Sequence, residues 1–148
     1  MKHEELVKRC VKLAERNVRD GQAPFAAIVT RGGEVVSEAV NDGKATFDPT
    51  AHGEIRAIQM AGTKLETTDL SDCELYTNCE PCPMCLAAIH WSGIKQVYYG
   101  LSIGQQAEFD EMPQELYEAF RTGEHSVKLH DYSGKVDGAA PFRLEERE

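Results

Sequence analysis

Three cysteines crowd into seven residues, Cys79-Glu80-Pro81-Cys82-Pro83-Met84-Cys85, and the prolines among them constrain where a helix can begin. Proline is tolerated best at the first helical position, so a helix should start at or just after Cys82. The thiols of Cys82 and Cys85, three residues apart, then both project from its first turn. A helix N-terminus lowers thiolate pKa and helps hold negative sulfur. The other two of the five cysteines are Cys10 and Cys73. An odd count with three clustered favours thiolates on a metal over a disulfide framework. Cys10 shares a helical spacing with Leu6, Leu13 and Ala14 and reads as a small core hydrophobe.

A second short stretch, Pro49-Thr50-Ala51-His52-Gly53-Glu54-Ile55, stands where a polar loop gives way to helical spacing. His52 can serve as a third ligand. Glu54, two residues on, points away from His52, so its carboxylate can stand beside a metal-activated water without occupying the metal. Zinc at a catalytic centre takes three protein ligands and keeps a fourth position open, whereas a structural site closes all four. Cys79 is the residue that would close this site. It ends the strand that precedes the Glu80-Pro81 turn, however, and cannot share the helix-start face with Cys82 and Cys85 unless that turn unwinds. A closed site would also leave Glu54 without a task. The expectation is one Zn2+ per chain on His52, Cys82 and Cys85, with Glu54 as the proton carrier. H-x-E followed by P-C-x-x-C is the signature of zinc deaminases that act on bases.

The rest of the chain alternates. Residues 4–19 place Leu6, Cys10, Leu13, Ala14 and Val18 on one helical face and stop at Gly21. Pro24–Thr30 and Glu34–Val40 read as a hairpin turned by glycines, and residues 52–61 as a short helix with Ile55 and Ile58 or Gln59 inward. Then come a strand at 73–78, a helix at 83–91, a strand at 96–101, a helix near 113–123 and a strand at 126–132. This order predicts an α/β fold, a three-layer α/β/α sandwich around a mixed five-stranded sheet, within one domain spanning 1–148. The polar start lacks the apolar core of a signal peptide, and no window approaches the roughly 18 apolar residues of a membrane span. A cytoplasmic chain that makes no membrane contact is expected. The net charge of −9 repels phosphate backbones and points to a small or neutral ligand rather than nucleic acid.

On these motifs, and on PFAAIV, Asn41, DPTAHGEIRAI and DCELYTNCEPCPMCLAAIHW, the chain resembles the cytidine deaminase-like superfamily. Within it the chain is most similar to small free-base deaminases of the guanine deaminase type. The resemblance runs from the first helix to about residue 111. It implies homodimers with sites close to the subunit interface. It also implies that Asn41 binds a carbonyl of the base, that the backbone N–H groups of Gly53 and Cys82 lie near the reacting centre, and that Phe25 and Trp91 wall the pocket. Asp110, or its neighbour Glu111, would read the purine, and the segment from about 123 to 148 would close the site. Each substrate contact has a plainer alternative: Asn41 as a cap on the hairpin, Phe25 and Trp91 as core aromatics, Asp110 as part of an exposed acidic turn. Gly53 stands where the guanine type more often carries alanine.

The implied reaction is hydrolytic deamination of a free nucleobase, foremost guanine to xanthine plus ammonia, with cytosine or isocytosine behind it. The clustered Lys and Arg that would hold a transfer RNA are missing, and no second domain suggests a riboflavin-pathway enzyme. A zinc-stabilised interaction module is the non-enzymatic alternative.

Overall fold

The structure is a computed structural model that describes residues 2–144. Its first helix, α1 (His3–Arg19), carries Glu4 and Glu5 in the first turn and Arg16 and Arg19 in the last, which complements the helix dipole at both ends. Leu6, Cys10 and Ala14 are buried as the spacing predicts. Val18 is half exposed, and the buried place near the helix end goes to Asn17 instead. The reason is local. Asn17 Nδ2 donates to the carbonyls of Ala23 and Asn41, at 2.7 and 2.8 Å, and so pins the two loops that frame the next strand.

The hairpin strands β1 (Ala26–Arg31) and β2 (Glu34–Val40) are antiparallel, with Arg31 opposite Glu34. The turn between them, Gly32-Gly33, has φ of 58° and 81°, a two-residue primed turn that only residues tolerant of positive φ can make. After a short helix, α2 (Gly43–Thr46), come α3 (Gly53–Leu65), β3 (Cys73–Cys79), α4 (Pro83–Ser92) and β4 (Val97–Leu101). They are followed by α5 (Ile103–Gln106), α6 (Met112–Thr122) and α7 (Ala140–Leu144). The sheet order is β2-β1-β3-β4, with β3 antiparallel to β1 and parallel to β4.

Strand alternation sorts the core into two layers. Ala27, Val29 and Leu75 pack with Ala57, Ala61 and Ile89 of α3 and α4 on one face. Ile28 and Tyr76 point to the other face, against Leu6 and Cys10 of α1. This is the expected sandwich of helices on both faces of a mixed sheet, though with four strands among the described residues and not five. The predicted strand at 126–132 is irregular. It has no neighbouring strand, and its apolar residues Val127 and Leu129 are 63% and 83% exposed, so no burial rewards an extended pairing there. Within the tail assigned to site closure, residues 145–148 lie outside the described residues. No helix among the described residues is long and apolar enough to cross a membrane.

The α3 face is rotated from the expected one. Glu54, Ala57 and Ala61 are buried, whereas Ile55 and Ile58 are only partly covered. The helix starts hard against β1: a Cβ added to Gly53 would lie 3.1 Å from the Cα and carbonyl carbon of Ala26. The same register assembles the site. Ala26 pairs with Val40 and Ala27 with Thr77, so the start of β1, the end of β2 and the end of β3 meet at one edge of the sheet. Cys79 pairs with Leu101, which brings the end of β4 to that edge as well.

Candidate active site

Two helix starts face each other at this edge. His52 is the N-cap residue of α3 and Cys82 the N-cap residue of α4, both with extended backbone, and Pro83 follows at the first helical position as expected. Cys82 Sγ lies 3.6 Å from His52 Nδ1, and Cys85 Sγ lies 3.5 Å from the same nitrogen. All three donor atoms fall within 4.8 Å of one another. A tetrahedral zinc with Zn–S near 2.3 Å and Zn–N near 2.0–2.1 Å requires an N···S edge of about 3.5 Å. The donor set fits the ion in both chemistry and spacing.

The charges are arranged to match. The Cys82 thiol is held down, to about 4, first by its hydrogen bond with Cys85 and then by His52. Cys85 is pushed up, first by that same hydrogen bond and then by burial. His52 is raised chiefly by its hydrogen bond with Cys82. The two sulfurs thus share one negative charge next to an imidazole, a cluster that a divalent cation completes by displacing protons. Glu54 is 6% exposed, and burial raises its carboxyl to about 7.

Cys79 is not part of the donor set. Its thiol is buried at the strand end and pushed up to about 11, first by burial and then by the Glu54 charge. Metal analysis of Cys79→Ala is therefore expected to return one zinc per chain, as in the parent protein. Loss of zinc from that variant would show a closed four-ligand site.

The donor set opens into a cavity of about 320 Å3, near the lower end of the roughly 300–1,000 Å3 typical of ligand pockets. Phe25, His52, Glu54, Cys82, Gln106 and Asp110 are among its walls. Phe25 lies nearly parallel to the His52 ring, 6.5 Å between centroids. Asp110 is exposed at the rim, and its Oδ1 accepts from the N–H of Met112, 3.0 Å away. Glu111 is the N-cap residue of α6. Asn41 lies outside the cavity lining and is held through its backbone: its N–H donates to Phe25 and its carbonyl accepts from Asn17. Its Oδ1 accepts from Gly43, which leaves the amide nitrogen as the end suited to a carbonyl.

Trp91 does not reach this cavity within its own chain. It is 90% exposed and lines a separate groove on the surface of α3 and α4, not the cavity. It follows Cys82 by nine residues on one helix, so it sits about 13 Å further along the axis, at the wrong end of α4.

Several wall residues were not legible in advance. Glu80, in the turn before Cys82, accepts from the Ile103 N–H at 3.0 Å. Gln106 closes α5, while Pro113 and Leu116 of α6 face the same cavity. Tyr117 donates to the Pro81 carbonyl at 2.7 Å, tying α6 to the turn that presents Cys82. These contacts depend on how α5 and α6 fold back over the sheet edge, which no local spacing encodes.

The sequence matches the family described as the cytidine and deoxycytidylate deaminase zinc-binding region over residues 1–101. It is 44% identical over 114 residues to a guanine deaminase of Bacillus subtilis, covering 75% of this chain and 73% of that one. It is 39% identical over 99 residues to a tRNA-specific adenosine deaminase of Aquifex aeolicus, covering 67% and 66%. The X-ray structure of the Bacillus subtilis guanine deaminase superposes with a TM-score of 0.90 at 35% identity, covering 97% of this chain and 93% of that one.

Proposed function

The chain belongs to the cytidine and deoxycytidylate deaminase zinc-binding family and is a zinc-dependent deaminase; from that premise we propose that it deaminates a free nucleobase, guanine first, with cytosine or isocytosine next. One observation carries this reading: a three-donor zinc set whose open side meets both a buried carboxylate and a cavity of base-like size. The length and likeness of the Bacillus subtilis relative favour guanine. The net charge of −9 counts against a transfer RNA, despite the Aquifex relative.

When held by His52 Nδ1 and the sulfurs of Cys82 and Cys85, zinc supplies a water whose pKa is lowered towards about 7. Glu54 does the proton work. Its carboxylate takes a proton from the attacking water and delivers it to a ring nitrogen as the ring carbon that bears the exocyclic amine becomes tetrahedral. It then takes the proton of the hydroxyl now on that carbon and passes it to the amine, so that ammonia leaves and the ring carbonyl remains. The first N–H groups of α3 and α4, at Gly53 and around Cys82, have no intrahelical partner and can face the developing charge. Phe25 offers the base a flat apolar wall, and the Asn41 amide nitrogen offers a donor.

The same reading includes a homodimer, with Trp91 buried against the second copy, and closure of the site by the segment from about residue 123 onward. The test is ammonia release by zinc-loaded protein from guanine, isocytosine, cytosine, adenine, guanosine and cytidine, each with Glu54→Ala as control. Turnover confined to free bases and lost in the variant is the expected result. Silence across the panel in a zinc-bearing protein would leave the interaction-module reading standing.

A further inference from the structure

Gln106 is 5% exposed, lines the same cavity as His52 and Glu54, and has a buried Oε1 without a hydrogen-bond partner among the described residues. A buried acceptor left unmatched is costly, and native structures rarely keep one without a use. Two other polar side chains on this side of the cavity each have one oxygen engaged: Glu80 accepts from Ile103 and Asp110 from Met112. The Gln106 backbone is also fixed from several directions. Its N–H donates to Ser102, and its carbonyl accepts from Phe109 and Asp110, at 2.8 and 2.9 Å. Ser102 and Gln105 close α5 with a reciprocal capping box. A rigid backbone thus holds an unmatched amide in the wall of the pocket, where a turn about the soft terminal torsion of the side chain would present its oxygen to a bound base.

We propose that Gln106 determines substrate specificity, its terminal amide turning to the cavity so that Oε1 accepts a hydrogen bond from an N–H of the base other than the amine that departs. The inference rests on the nucleobase reading above and narrows it. The preferred substrate must be an amino-heterocycle that keeps at least one further N–H. Guanine, isocytosine and cytosine qualify through their ring N–H groups. Adenosine, whose only N–H groups are those of the amine it would lose, does not, so Gln106 works against the nucleoside within a transfer RNA. A site built around such a bond rejects an analogue that lacks the donor far more strongly than an apolar pocket rejects an extra methyl group.

The experiment compares parent protein with Gln106→Leu and Gln106→Met, zinc-loaded. It measures kcat/KM for the best base of the panel and for that base methylated at each ring N–H in turn, together with Tm and zinc content. Both variants should keep one zinc per chain and an unchanged or higher Tm, because an unmatched buried polar atom has been removed. Their kcat/KM for the preferred base should fall roughly tenfold to a hundredfold. The parent should reject one methylated analogue strongly, and the variants should lose most of that discrimination.

If the folded, zinc-bearing variants keep kcat/KM within about twofold of the parent, the assignment is overturned while the deaminase reading stands. A fall in kcat/KM with discrimination intact would also overturn it, since Gln106 would then act only through packing. A parent protein inactive on every free base would overturn the nucleobase reading and this inference together.

Discussion

Glu54→Gln is expected to lower kcat/KM by roughly a thousandfold or more while leaving zinc bound. The carboxylate is asked to move protons at two stages, and positioned acid–base catalysis contributes about a hundredfold to ten-thousandfold. The amide keeps the size and most of the shape of the side chain, so the loss isolates proton transfer from packing. Zinc content should not change, because Glu54 is not one of the three donors. The same substitution has an opposite effect on the stability of metal-free protein. Burial raises the folded-state pKa of Glu54 to about 7 from its ordinary 4.5, so folding disfavours the ionised form. The penalty is absent below about pH 4.5, grows between 4.5 and 7, and is full above that window. It amounts to about 3 kcal/mol at pH 8. Metal-free Glu54→Gln should therefore unfold at a higher temperature than the metal-free parent at pH 8, with the difference closing as pH falls from about 7 to 4.5. An active Glu54→Gln enzyme, or a metal-free pair with equal Tm at pH 8, would remove Glu54 from the role given to it.

What could be read in advance was what depends on neighbours in the chain. His52 and Glu54 share a helix start, as do Cys82 and Cys85 with Pro83 between them, so their spacing fixed their directions before any tertiary contact was known. The four strands announced themselves as short apolar runs with clear stops. The misplacements came where a partner decides. Residues 126–132 alternate like a strand but have no strand to pair with. Ile55 looks more fit for a core than Ala57, yet the buried face of α3 is the one that starts with Gly53 against Ala26 and runs through Ala57 and Ala61. Asn17 displaced Val18 because two loop carbonyls needed a donor. Trp91 was assigned to the pocket by resemblance, and the rise along α4 puts it out of reach within its own chain. Gln106 was invisible for the complementary reason: beside Gln105 it is one amide of two, and only the seating of α5 shows that one caps the helix while the other faces the cavity.

Removing zinc should lower Tm by roughly 8–16 °C and abolish turnover, and Cys85→Ala should reproduce both losses. The ligands come from the starts of two helices, so the ion is a cross-link between α3 and α4 as well as a reactive centre. Free metal at about a thousand times its Kd stabilises the folded form by about 4 kcal/mol. For a chain of this size each kcal/mol moves Tm by about 2–4 °C. The metal-free site has its own reason to be weak. Cys85 is fully buried and Glu54 nearly so, and the cation that would balance the carboxylate and the shared sulfur charge is gone. Two variants separate this cross-link from general packing damage. Cys79→Ala deletes another buried thiol outside the donor set and should keep the zinc-dependent part of Tm. Glu54→Gln should keep it too, despite being inactive. The deciding comparison is Tm with and without chelator for parent, Cys79→Ala, Cys85→Ala and Glu54→Gln: only Cys85→Ala should fail to respond. A parent protein that gives up its zinc with no change in Tm would show that the sheet edge is held by α5 and α6 alone and that the ion serves only the reaction.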